Sequence, residues 1–436
     1  MNVTIDQLRE FRQAAYECMG QARDAEFELV DALLVNIEGR SVVELSLNAV
    51  FRRRWSSVYA ALSDGQLNTT RLERIYLRQI VPGERPVWAV DSTLWSRPDA
   101  RTLPERGFHH SPTRIKGNKP IGIGQAYSTV VSIPDEQGSW ALPLAHERIG
   151  GDQTALEVGS EQVKRLAALS PVRPLVTMDS YYAGPAWLKA TVDAPFDSLG
   201  RLRPNRVVYR QPGPYSGKGR PAVHGPALKL RQPTTWYSPH EALCVRDSKL
   251  GRVEISVWHN LHFRAAPDRP VTVIHIQRLD ARGTRRDPTH LWLMYSGTRP
   301  LQLAADWRFY LRRYAIEHFY RFIKQELLWT AFAGTALPNT QLWSTLLTIV
   351  YWCLFLARSL VQDQPRPWQK VPATLPAFSP GRVKRAWPTL LPLMGTPARM
   401  PKTRGNAPAR VLGFKPPPRP RYPILKKRPK RLKKTA

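Results

Sequence analysis

YLRRYAIEHFYRFIK, residues Tyr310 to Lys324, sorts its side chains onto two sides of a helix. Tyr310, Arg313, Glu317 and Lys324 are spaced by three, four and seven residues. At about 100° per residue they share roughly 60° of arc. Leu311, Ala315, Ile316, Phe319, Phe322 and Ile323 take the opposite side. The apolar side can pack on a sheet while the polar stripe faces open space. Salt-bridge decoration of a surface helix would account for the charges but not for a tyrosine among them. The periodicity predicts one helix from Leu301 to Trp329. Glu326 falls at about 160°, toward the apolar side, and is set aside as a partner for the stripe.

Upstream, the period changes from helical to extended. VWAVDST (Val87 to Thr93) and PLVTMDSYY (Pro174 to Tyr182) read as short buried strands, each carrying an aspartate at or near its C-terminal end, Asp91 and Asp179. In open α/β sheets that edge is where ligands bind, although an aspartate ending a strand is also a common turn cap. A hairpin of GQAYSTVVSI and SWALPLAHERI and a helix over Asp152 to Leu169 separate the two strands. Residues 197–286 hold short strand candidates divided by Pro and Gly and no convincing helix. HLWLMYSG, ending at Gly297, is one more strand. Leu342 to Ala357 is apolar but has only 16 residues, fewer than the ~20 of a membrane span, and reads as a buried helix. Gly122-Ile123-Gly124 lacks the setting of a dinucleotide site, and His109-His110 reads as part of a basic loop.

Of the 436 residues, 65 are Lys or Arg and 34 Asp or Glu, a net charge of +31 that calls for a polyanionic partner, nucleic acid first and an anionic membrane surface second. A 42% hydrophobic content with 14 Trp, 15 Tyr and 13 Phe excludes a wholly disordered chain. Cys18, Cys244 and Cys353 lie far apart without C-x-x-C spacing, which excludes a disulfide scaffold and a zinc finger and fits a reducing compartment. The N-terminus has no basic segment followed by an apolar one, so a cytoplasmic protein is expected.

The charge is concentrated at the end. Residues 364–436 hold 19 Lys and Arg, no acid and 16 of the 40 prolines, which reads as a disordered basic tail ending in KKRPKRLKK (Lys426 to Lys434). Residues 1–83 read as a helical domain that opens with a Thr4/Gln7 capping box and stops at Pro82-Gly83. Its third helix, expected over 42–62, carries Arg52, Arg53 and Arg54 beside Trp55, either for a DNA backbone or as a solvated basic face.

Taken together, Y-x2-R-x3-E-x6-K at Tyr310, Arg313, Glu317 and Lys324 resembles the signature of DDE insertion-sequence transposases in the branch that carries the Y-R-E-K motif. The resemblance runs from about residue 86 to 330. It implies an α/β, RNase H-like mixed sheet with helices over 84–196 and 287–362, interrupted by a β-rich insertion at 197–286, beside the helical N-terminal domain and the basic tail from 363. It implies that Asp91, Asp179 and Glu317 are the catalytic, metal-binding acids. Tyr310, Arg313 and Lys324 would then contact DNA, and Trp292 would stack on a flipped base. Three carboxylates suit two Mg²⁺ or Mn²⁺ ions, hard cations that prefer oxygen ligands.

The expected activity is metal-dependent DNA cleavage at transposon ends followed by strand transfer. The expected partners are transposon-end and target DNA and, on DNA, a second copy of the chain, in a bacterial cell at the nucleoid and not in a membrane. A catalytically inactive, transposase-derived DNA-binding protein is the alternative. A structural nucleoid protein would account for the tail and leave the helix stripe unexplained.

Overall fold

The computed structural model describes residues 3–80, 85–115, 119–135, 138–215, 217–284, 288–369, 378–402, 413–415 and 417–426. Pro82-Gly83 and the basic run from residue 427 lie outside them. The N-terminal part is helical. Helix α1 (Ile5–Tyr16) begins at the expected capping box, with both reciprocal bonds between Thr4 and Gln7 present. Helix α2 (Arg23–Val35) is buried continuously from Glu26 to Leu34, and α3 (Ser56–Asp64) and α4 (Thr69–Gln79) complete the group.

The helix expected over 42–62 is interrupted. A single 3-10 turn at Val43–Leu47 gives way to turns and bends before α3 starts. The cause is electrostatic: Glu28 is buried on α2, and Arg52 and Arg53 reach it at 2.8 and 3.2 Å. A buried carboxylate left unpaired is costly, so these two arginines serve the fold. They are not a helical face tracking DNA. They also donate to the carbonyls of Ala398 and Arg399.

The centre is one mixed sheet. Its first strands are β1 (Val87–Ser96), β2 (Gly107–Ile115), β3 (Lys119–Ser132) and β4 (Leu142–Arg148), with β3 antiparallel to the other three. Helix α5 (Ala155–Leu169) then crosses to β5 (Leu175–Met178), and α6 (Pro185–Ala190) leads to β6 (Asp197–Leu202). β1, β5 and β6 run parallel, and their residues are buried on both faces as parallel strands require. The order and directions agree with the RNase H-like expectation. Gly159 lets α5 lie close under β1, because a Cβ there would stand 3.0 Å from Val90 Cγ2. His109 and His110 belong to β2 and not to a loop.

The β-rich segment is not a separate sheet. It contains β7 (Val207–Tyr209), β8 (Ala227–Lys229), β9 (Glu241–Asp247), β10 (Gly251–Phe263) and β11 (Ala266–Arg278), and β12 (His290–Ser296) follows it. β12 pairs antiparallel with β6 and carries β11 and β10 onto the same sheet, so all twelve strands are continuous. β6 therefore belongs to the parallel core, although a boundary at 197 would assign it to the insertion.

The expected helix from Leu301 to Trp329 is shorter and broken. It comprises α7 (Phe309–Arg312) and α8 (Ala315–Gln325), joined where Ile316 and Glu317 donate to the carbonyls of Arg313 and Tyr314 in i to i−3 bonds. Helix α9 (Leu337–Leu356) has the length and composition of a membrane span, and 94% of its apolar window is buried within the protein against β4 and α2.

The tail also departs from expectation. Helix α10 (Pro380–Met394) packs on α2 and α9, with Val383, Ala386 and Trp387 fully buried. Lys384 Nζ donates to the carbonyls of Asn36 and Glu326 at 2.7 and 2.8 Å. Farther on, Tyr422 and Leu425 donate backbone bonds to Arg101 and Arg106, and Leu425 forms a parallel bridge with Gly107 of β2.

Candidate active site

Between β1 and β5 the last paired rung is Val90 with Met178. The next residue in each case is an aspartate: Asp179 follows the end of β5, while Asp91 is in the middle of β1, which runs on to Ser96 along β3. Acids 88 residues apart in sequence therefore come side by side where β5 stops. Adjacent strands lie about 4.8 Å apart. Burial falls at the same point, from Val87, Trp88, Ala89 and Val90, all nearly fully buried, to the partly exposed Asp91, Ser92, Thr93 and Leu94.

Helix α8 brings the third acid. Its buried face, Ala315, Ile316, Phe319, Tyr320, Phe322 and Ile323, packs inward and leaves Glu317 exposed. Arg313, at the junction of α7 and α8, donates to Asp91 Oδ2 at 3.0 Å, both side chains being about 15% exposed. Lys324 Nζ donates to Thr93 Oγ1 at 2.7 Å. Asp91 and Thr93 are two residues apart on one strand and share a face, so α8 covers one face of β1 from Arg313 to Lys324. Asp179 Oδ1 accepts from the Tyr181 amide at 2.9 Å and Asp91 Oδ1 from the Ser92 amide at 2.7 Å.

The electrostatics match a cluster of acids. Burial pushes the Asp91 carboxyl up to about 7, Asp179 and Glu317 push the same way, and Arg313 opposes them. Burial lowers the Lys324 ammonium, and Glu317 offsets part of that. Among the described residues no three acids, histidines or cysteines stand close enough together to hold a metal ion as they are. The donor set still fits a hard divalent cation. It consists of carboxylate oxygens, and their mutual repulsion is the kind that such a cation relieves.

Two expected site residues are placed differently. Tyr310 is only 8% exposed, in an apolar cluster with Trp307 and Leu199, and the Arg313 guanidinium lies 5.9 Å from its ring centre. It supports Arg313 and does not present its ring to DNA. Trp292 is 3% exposed, with its ring stacked 4.1 Å from His275 and flanked by Trp236 and Trp258. A ring so enclosed has no free face for a base, so Trp292 is a core residue here.

Other polar residues were not anticipated, one group of them at the opposite, N-terminal edge of the parallel strands. Asp197, fully buried at the start of β6, accepts from Arg85 and Arg173 at 2.8 Å each. Arg85 also reaches Asp306, just before α7, and so ties that helix to the sheet. Thr129 on β3 lies opposite Asp91, and His146 on β4 lies opposite Thr129, one strand farther on. Their only signal in the sequence was a polar residue directly beside an apolar pair, Thr129 before Val130-Val131 and His146 after Leu144-Ala145.

The family model described as DDE superfamily endonuclease matches residues 15–260, more than half of the chain, and includes Asp91 and Asp179. No curated protein matches the chain. A mixed sheet with Asp91 and Asp179 side by side on neighbouring parallel strands, under a match of that extent, places this chain in the family of DDE superfamily endonucleases.

Proposed function

We propose that the protein is a DDE transposase of the Y-R-E-K branch, cleaving DNA at transposon ends and joining the freed 3′-OH to target DNA. The observation that carries this reading is the adjacency of Asp91 on β1 to Asp179 just past the end of β5, on the side where Arg313 and Lys324 of the helix stripe bond to β1. DDE endonucleases act on DNA and generally use divalent metal ions.

Asp91, Asp179 and Glu317 would hold two Mg²⁺ or Mn²⁺ ions. Such ions lower the cost of generating the attacking oxygen and of releasing the leaving one in an in-line displacement. The chain's own residues supply the rest. Arg313 neutralises Asp91 and offers a planar fork of donors suited to phosphate, and Lys324 offers a point charge at the other end of α8. The net charge of +31 draws the duplex in and makes binding salt-dependent.

The test is cleavage of DNA carrying the element's own ends by the full chain with Mg²⁺. Asp91→Ala, Asp179→Ala and Glu317→Ala should each abolish cleavage and leave DNA binding largely intact. Binding without cleavage by the unaltered chain would establish the inactive, DNA-binding alternative instead.

A further inference from the structure

A row of charged residues crosses the parallel strands where β5 ends. Val90 of β1 is level with Met178 of β5, and Met178 with Gly200 of β6. One residue farther along, the row reads Asp91, Asp179, Arg201, with strands about 4.8 Å apart. Residues level with one another on neighbouring strands point to the same face. On β6 that face is also taken by Leu199, which packs with Trp307 and Tyr310 beside α7. Arg201 stands two residues beyond this apolar contact and is exposed.

A second cation comes from the turn after β6. The Arg206 amide donates to the Arg203 carbonyl, and Pro204 fixes the first corner of that turn. Arg203 Nε donates to Ser180 Oγ at 3.3 Å, so its guanidinium is held at the residue next to Asp179. The four N–H donors on Nη1 and Nη2 are left for a ligand. Among the described residues neither Arg201 nor Arg203 forms an ion pair. Other arginines near the sheet are neutralised: Arg85 and Arg173 by Asp197, and Arg313 by Asp91. The sequence provides no such partner here, since Ser198 to His240 contains eight Lys and Arg and no acid. A phosphodiester brought beside Asp91 and Asp179 would be repelled by them. Two unpaired arginines one strand away offset that repulsion, and their planar forks fit its two free oxygens.

We infer that Arg201 and Arg203 form a phosphate-binding site beside Asp179, which holds a backbone phosphate of the bound DNA strand next to the phosphate at the acids. The inference rests on the proposed transposase reading for the identity of the DNA. The site sets where the strand leaves the acids, along β6 and away from α5.

The experiment measures binding of a labelled duplex carrying the element's end to the full chain without added metal ion, over a range of salt. The double variant Arg201→Gln, Arg203→Gln should show a log Kd that depends less steeply on log salt, by about 1–2 in slope. Neutral methylphosphonate linkages are then placed one at a time along the terminal nucleotides. At the phosphate held by the two arginines, the neutral linkage should weaken binding by the unaltered chain about tenfold and leave the double variant indifferent. Equal responses of the two chains at every position would overturn the inference. Both side chains are exposed, so the melting midpoint should not move. Should it fall, Arg201→Lys with Arg203→Lys, which keeps both charges, should restore the salt slope, and a slope that stays shallow would overturn the inference. Cleavage of the same duplex with Mg²⁺ separates this from the broader reading. Cleavage by the unaltered chain without a position-specific difference refutes only the phosphate site. A position-specific difference without cleavage keeps the site and refutes the transposase reading.

Discussion

Removing everything after residue 363 should unfold the N-terminal helical part, although the composition of that segment suggests a dispensable tail. Helix α10 contributes Val383, Trp387, Leu390 and Leu391 to the core, each 0–7% exposed. Full burial of an apolar side chain of this size is worth roughly 1.5–3 kcal/mol, so the four together contribute about 6–12 kcal/mol. That is comparable with the whole stability of a domain, about 5–15 kcal/mol. Loss of Lys384 would also leave the carbonyls of Asn36 and Glu326 without their donor. The assay compares chains ending at 363, 402 and 436 by circular dichroism and thermal melting. The chain ending at 402 keeps α10 and should melt near the full-length midpoint, while the chain ending at 363 should lose its cooperative transition. The chain ending at 402 lacks 12 of the 19 tail charges, so its log K for DNA should also fall less steeply with log salt than that of the full chain. A chain ending at 363 that melts cooperatively at the full-length midpoint would refute the packing argument.

Two further outcomes follow from buried groups. Glu26 is fully buried without a hydrogen-bond partner, and burial pushes its carboxyl from 4.5 up to about 8. Between those values the folded chain keeps a proton that the unfolded chain has lost, so stability should fall as pH rises, by up to about 1.4 kcal/mol per pH unit. Glu26→Gln should flatten that slope in denaturant titrations from pH 5 to 8, and an unchanged slope would assign the pH dependence elsewhere. Trp292→Ala should cost about 3–5 kcal/mol of stability, as core Trp truncations do, with cleavage per folded molecule unaffected. A stable variant with slowed cleavage would return Trp292 to the DNA.

The elements legible in the sequence are those whose signal is local. The Thr4/Gln7 box, the buried helix at 342–357 and the two-sided helix with Glu317 need no knowledge of distant partners. Where the reading failed, a distant residue decided the local structure. Glu28 draws Arg52 and Arg53 out of a helix that their own propensity supports. In α10, Pro388 and Pro392 sit inside a helix that composition argues against, because α2 and α9 provide an apolar surface for Trp387 to cover. The family resemblance implies that Trp292 stacks on a base, yet β10 and β11 bring Trp258 and His275 to enclose it.

The site was only half legible, for a reason peculiar to β1. Its first four residues, Val87 to Val90, are apolar without alternation, so the pattern does not say which face Asp91 takes. The structure settles this by parity. Asp91 and Thr93 face α8, and Trp95 on the same face meets Trp329. Val90 takes the other face, under Gly159 of α5. A slip of one residue in β1 would exchange these sets, carrying Asp91 away from Arg313 and Glu317 and toward Ser128 and Gln162, which bond to each other beneath α5. The continuous apolar run therefore secures the strand but leaves its orientation to its neighbours. Long, two-sided pairing with β3 supplies that orientation, from Trp88 with Ser132 to Ser96 with Gly124. The polar row of Asp91, Thr129 and His146 follows from the same register, and no single strand could reveal it.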